Sequence, residues 1–330
     1  MTALHFATRL NSFASRPDAA WPGLTGKPSV LQLTARAATA TGLTHVDLNY
    51  PDHLGAGVAA TAQGIRDLGL EINGLAMRYY TEPAFKIGAF TNPDPAIRRA
   101  AIDLTKRGID AALEAGAPLM TLWLGQDGFD YALQANYDRL WSMEIDGIRE
   151  VAAYQPECDI SIEYKPNEPR SYSLLPDCAT TLLAIREIGL ANLGVTLDFA
   201  HSLYADEQPA FAAALIARHS RLLGVHLNDG YGKRDDGLMV GAVNTLKTIE
   251  LLRQVRHDGY QGPIYFDTFP DMTGLDPVHE CSVNIATVTS MMAVVDRLDA
   301  SNSLDEAMAR QDAVSVQAIV QAALSAPRPA

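Results

Sequence analysis

Eight short runs rich in apolar and β-branched residues, each followed by a longer stretch of helical periodicity, restrict this chain more than any other feature. The runs are LHFATRL (4–10), THVDLNY (44–50), EINGLAM (71–77), PLMTLWL (118–124), DISIEYK (159–165), LGVTLDF (193–199), LLGVHLN (222–228) and PIYFDTF (263–269). Between them, segments such as PAIRRAAIDLTKRGIDAALEAGA (95–117) and DCATTLLAIREIGL (177–190) repeat apolar residues at helical spacing. Strict alternation of strand and helix implies parallel strands, and eight is the number that closes a barrel. The rival is an open doubly wound sheet, which announces itself with a glycine-rich phosphate turn. No G-x-G-x-x-G follows the first run. The expectation is therefore an α/β chain, a (β/α)8 TIM barrel over residues 1–285. Residues 286–330 form a C-terminal helical extension, whose apolar stripes must pack on the barrel or on a neighbouring subunit. A homo-oligomer, dimer or tetramer, is expected, with the terminal SAPRPA frayed.

Composition narrows the partners. With 48% hydrophobic and 20% charged residues the chain can bury a large core. Its net charge of −13 repels phosphate backbones and anionic lipid, so no nucleic acid and no membrane is expected as a partner. A small neutral molecule with a cation fits better. Cys158, Cys178 and Cys281 are far apart, without metal spacing or a disulfide framework. Neither a signal peptide nor an apolar run of bilayer length is read, and a cytoplasmic location is expected.

In a parallel barrel the functional groups gather where strands end, at the C-terminal face. The fifth run ends ISIEYKP, and alternation places Ser161, Glu163 and Lys165 on one face. The sixth ends in Asp198, with His201 three residues on. The seventh offers His226 and Asn228, the eighth Tyr265, Asp267 and Phe269. Each has an ordinary structural explanation: a buried ion pair for Glu163 and Lys165, a helix N-cap for Asp198, a core imidazole for His226, a backbone acceptor for Asp267. Jointly those explanations strain, because four adjacent strands would have to aim ligand-type residues into one mouth by coincidence. Three crowded carboxylates repel unless compensated, and a divalent cation compensates them. Oxygen-rich ligation with one imidazole suits Mn²⁺, Mg²⁺ or Co²⁺.

At these residues the chain resembles the xylose isomerase family. IEYKPNEPR (162–170) is similar to its I-E-P-K-P-N-E-P-R segment, Tyr164 being the substitution. FTNPDPAIRRAAIDLTKRGID, WLGQDGFDY (123–131), HLNDGYGKRDDGLMVG and YFDTFP resemble further family segments, in family order, from about residue 44 to 280. The resemblance implies a metal-dependent aldose–ketose isomerase of carbohydrate metabolism. Glu163, Asp198, His226 and Asp267 would hold one metal ion, and Asp198, His201 and Asp235 a second. Lys165 would hydrogen-bond the substrate carbonyl, with Glu163 and Asp235 also in catalytic roles. Trp123 would wall the cavity, and His53 would stand in for the family's N-terminal sugar-binding histidine. The chain departs from the family at Gly237, where a third acid of the second site is usual; Asp236 is the available substitute. His226 replaces a usual carboxylate, which points to the rhamnose-isomerase-like branch.

The implied substrate is a free, unphosphorylated sugar, with D-apiose the leading choice and a pentose or deoxyhexose behind it. Arg78 is the main reservation against excluding phosphate. A ketose 3-epimerase, a sugar-acid dehydratase and a non-catalytic sugar-binding barrel are the alternatives. An apurinic endonuclease is disfavoured by the acidic charge.

Overall fold

The computed structural model describes residues 4–55 and 57–326. Eight parallel strands form a closed barrel: β1 (Phe6–Arg9), β2 (His45–Tyr50), β3 (Glu71–Met77), β4 (Leu119–Leu122), β5 (Asp159–Glu163), β6 (Leu193–Asp198), β7 (Leu222–Leu227) and β8 (Ile264–Phe266). They pair in chain order, and β8 returns to β1. All eight fall within the runs expected from the sequence. The helices carry local stop and start signals. Asp94 accepts the Ala96 N–H ahead of the helix Pro95–Glu114, with proline at its first position; Asp177 caps Cys178–Ile188, which ends at Gly189 in the left-handed region (φ 73°).

Register decides the height of the site. Asp198 pairs with His226 and His226 with Tyr265, so the ends of β6, β7 and β8 stand level. Glu163 pairs with Thr196, one inward position below. Outward residues on β5 do what alternation requires: Ile160 and Ile162 are buried under the helical layer. Tyr164 also turns outward, donating from its hydroxyl to Glu207 at 2.7 Å.

Two expectations need correction. The boundary at residue 285 falls inside one uninterrupted helix, Pro277–Leu298. Helical periodicity carries no mark of where a barrel's last outer helix becomes an extension. That helix is also long and apolar enough to cross a bilayer, against the expectation that no such run exists. Here its apolar residues, among them Ile285, Val288 and Val295, are buried in the core cluster. Beyond it, Ser303–Ala309 and Ala313–Ser325 fold back on the barrel's outer helices, where Arg253 bonds Asp305 at 2.6 Å and Arg297 bonds the Ala323 carbonyl at 2.7 Å. Residues 327–330 of the expected frayed end lie outside the described residues.

Candidate metal centre and cavity

Each of Glu163, Asp198, His226 and Asp267 offers one ligand atom, and these atoms lie within 4.8 Å of one another. Around an ion with 2.1 Å bonds, neighbouring octahedral ligands stand about 3 Å apart and opposite ones about 4.2 Å. The His226 Nδ1 to Glu163 Oε1 separation of 3.2 Å matches the first spacing. Asp198 is fully buried beneath the others. Its Oδ1 accepts the His201 backbone N–H at 2.9 Å, so the N-cap role is real, but Asn228 Nδ2 also holds both its oxygens at 3.0 and 3.2 Å. Asn228 further donates to the Asp267 carbonyl at 3.2 Å, fixing β6, β7 and β8 to one another. Arg9 reaches Asp267 at 3.5 Å.

The charges in this cluster are partitioned. Burial disfavours a charged imidazole at His226, yet Glu163 overrides it and pushes the ring up to about 9. Burial likewise opposes charge on Glu163, but His226 and then His201 hold its carboxyl down at about 2. His201 is driven up to about 10 against its burial by Asp198 and Asp235. Asp198, desolvated and facing Asp235, Asp267 and Glu163, is pushed up to about 7 despite His201. Protons on the two imidazoles thus do the neutralising that a cation would do, and a cation must displace them. The residues fit one. The donor set is oxygen-rich with an imidazole, and the neighbouring Asp235 Oδ1 is a buried oxygen with no hydrogen-bond partner among the described residues.

A cavity of about 380 Å³ opens above the cluster, lined among others by Trp123, Lys165, Glu168, Asp235, Arg78 and Tyr80. Lys165 Nζ bonds Glu168 at 2.8 Å and Asp235 at 3.1 Å and lies 5.3 Å from the centre of the Trp123 ring. Asp235 Oδ2 also meets His201 Nε2 at 3.2 Å. Lys165, Asp235 and His201 therefore form a chain at the place expected for a second ion. Gly125 lets the indole lie flat in its loop: a Cβ there would stand 2.5 Å from Trp123 Cζ2 and 2.8 Å from the Glu168 carbonyl.

The remaining expectations fare differently. Asp236 does not substitute for the missing acid, because its oxygens accept the Tyr231 N–H at 2.9 Å and Arg234 Nε at 2.8 Å within their own loop. Gly237 has no room for an acid: φ is +56°, and a Cβ would sit 2.2 Å from the Phe269 ring. His53 is not in the cavity lining; its Nδ1 accepts the Asn49 backbone N–H at 3.0 Å. Several lining residues escaped the sequence reading, among them Arg9 and Asp47, with Tyr80, Glu168 and Arg234. Alternation in THVDLNY, which sets Asp47 and Asn49 against Val46 and Leu48, carried the signal for Asp47.

Comparisons with known proteins agree with the barrel fold. The family described as Xylose isomerase-like TIM barrel matches residues 35–282, and the chain belongs to it. A xylose isomerase of Thermus thermophilus is 28% identical over 211 residues, covering 62% of this chain; the chain spans only 54% of that relative's length. Among solved structures, a D-tagatose 3-epimerase-like protein aligns with TM-score 0.70 at 16% identity, covering 89% of this chain and 98% of the other. A D-allulose 3-epimerase from Methylomonas aligns with TM-score 0.66 at 15% identity, covering 87% and 97%. These last two likenesses are of fold.

Proposed function

We propose that this chain is a divalent-cation-dependent aldose–ketose isomerase acting on a free, unphosphorylated sugar, D-apiose first and a pentose or deoxyhexose next. The observation that carries the reading is one cavity whose lining holds Glu163, His226 and Asp267 of the four-residue cluster, with Asp198 buried beneath them, together with a buried, positively charged Lys165. Glu163, Asp198, His226 and Asp267 would hold the cation, Mn²⁺, Mg²⁺ or Co²⁺. When bound, it supplies Lewis acidity toward two adjacent sugar oxygens. One firmly held ion fits best, since the second position lacks its third acid.

The protein's own groups then have definite tasks. Lys165 donates a hydrogen bond to the carbonyl oxygen, where negative charge grows during the reaction. The Trp123 ring walls the cavity beside Lys165 and keeps water out of it. Asp235, whose Oδ1 has no partner among the described residues, accepts the proton from the hydroxyl on C2 and returns it to the oxygen on C1, with His201 holding its other oxygen. A hydride moves from C2 to C1 in the same transformation, so the aldose becomes a ketose with no net gain or loss of atoms. The cavity lining sets five carboxylates, Asp47, Glu163, Glu168, Asp235 and Asp267, against Arg9, Arg78, Lys165 and Arg234. All of these cations but Arg78 are already paired with a carboxylate, which supports a neutral sugar as the simplest fit. A homo-oligomer remains the expected assembly.

The test is a panel of free aldoses and ketoses, D-apiose included, given to Mn²⁺- or Mg²⁺-loaded protein in D₂O and followed by NMR. Movement of the carbonyl without deuterium at carbon is the expected result. Full exchange at C3 of a ketose would replace the reading with a 3-epimerase, and no turnover of any sugar would end it.

A further inference from the structure

The cavity has a second wall that the proposed chemistry does not use. In an eight-strand ring β3 stands directly opposite β7, and β4 opposite β8. The cluster residues His226 and Asp267 stand on or just past the ends of β7 and β8; across from them, just past β3 and β4, stand Arg78 and Trp123. Both present a buried N–H with no acceptor among the described residues, Arg78 Nε and Trp123 Nε1. They are held together by Tyr80, whose ring meets the indole edge-on at 5.5 Å and lies 5.6 Å from the Arg78 guanidinium. The other cavity guanidinium and ammonium groups are spoken for: Arg9 by Asp267 and Asp271, Lys165 by Glu168 and Asp235, Arg234 by Asp236. Among the described residues Arg78 makes no side-chain hydrogen bond or ion pair.

Guanidinium and indole can only donate. A buried donor without a partner is costly, and an acceptor carried by the ligand would satisfy it. We propose that Arg78, with the indole N–H of Trp123, selects the substrate by gripping oxygen atoms at the end of the sugar farthest from the carboxylate cluster. This rests on the isomerase reading for which end is the far one. A site built to hydrogen-bond a hydroxyl discriminates strongly against the analogue lacking it, because the donors are then left unpaired. Arg78 is in this sense a specificity-determining residue.

Titration calorimetry of Mn²⁺-loaded protein with D-xylose and 5-deoxy-D-xylose tests this. The wild type is expected to prefer D-xylose by about 10-fold, and Arg78→Met to lose most of that preference, keeping about 2- to 3-fold. Trp123→Phe, which keeps the ring and removes only the N–H, is expected to reduce the preference in part and serves if Arg78→Met does not fold. A preference undiminished in Arg78→Met, or absent from the wild type, overturns the proposal. NMR on the same samples separates the two claims. Arg78-dependent discrimination without carbonyl movement keeps the gripping site and removes the isomerase. Carbonyl movement with discrimination indifferent to Arg78 does the reverse.

Discussion

The barrel mouth and the layer behind β4 both bury carboxylates, and Glu163 at the mouth and Glu144 behind β4 are treated in opposite ways. At the mouth, Glu163 lies against two imidazoles, Asp198 takes donors from Asn228 and the His201 N–H, and Asp235 is met by Lys165. Behind β4, Asp127 Oδ1 accepts from the Ala89 N–H, the Thr91 N–H and the Thr91 hydroxyl, tying the rim after β3 to the rim after β4. Its neighbour Glu144, on the helix Tyr137–Ala152, is fully buried, and neither of its oxygens has a partner among the described residues. Burial and the nearby Asp127 raise Glu144 well above the usual carboxylate range. A site built for chemistry surrounds its acids with positive and donor groups. An acid that only fills space is kept neutral instead.

The sharpest break would come at Glu163. Glu163→Gln is expected to reduce cation affinity by more than the roughly 100-fold that loss of an outer partner costs, and to abolish turnover, with little change in thermal unfolding. Calorimetric titration with Mn²⁺ alongside activity checks both. Normal cation retention in that variant would dissolve the contrast between the two places.

Asn228→Ala removes a partner rather than a ligand. It should weaken Mn²⁺ binding by about 10- to 100-fold while leaving some activity at saturating Mn²⁺. An unchanged affinity would mean that Asn228 only braces β6 against β8.

Behind β4 the expected effect is on stability, and it depends on pH. Glu144 binds its proton more tightly folded than unfolded. Below its ordinary value near 4.5 both states hold that proton, and stability from this group is complete. As pH rises the unfolded chain releases the proton freely, so folding loses stability up to the raised folded value. Glu144→Gln, which cannot ionise, should be more stable than the wild type by about 1–3 kcal/mol at pH 8, with the gap shrinking toward pH 4.5. Denaturant unfolding at the two pH values measures it. A variant less stable at pH 8 would show that Glu144 is satisfied as a charge.

The strands and the four-residue cluster were legible because both depend on alternation, and alternation survives in any parallel barrel whose mouth is polar. ISIEYK alone says which side chains share a face. The second ion position was not legible, because it depends on Gly237 and Asp236 in a loop whose turn sets their directions. The left-handed backbone of Gly237 and the ring of Phe269 against it come from loops that meet only in three dimensions. His53 lies outside the residues that line the cavity and bonds back to the Asn49 amide four residues earlier, a local contact that composition does not reveal, while Arg78 and Arg9, which do line it, are its charged neighbours. Arg9 sits at the end of the first run among apolar neighbours, and nothing in its own segment announces Asp267 and Asp271, which it meets from the other end of the chain.

Phe269 has a wider consequence. Its ring covers Gly237 and lies 4.7 Å from the Arg9 guanidinium, and its N–H bonds the Gly237 carbonyl at 2.9 Å. The loops after β7 and β8 are thereby pinned to one another by an aromatic plate. A side chain at 237 would collide with that plate, and displacing the plate to admit one would uncover the Arg9 guanidinium, so the shape of this rim and the charge of Arg9 are coupled through a single ring.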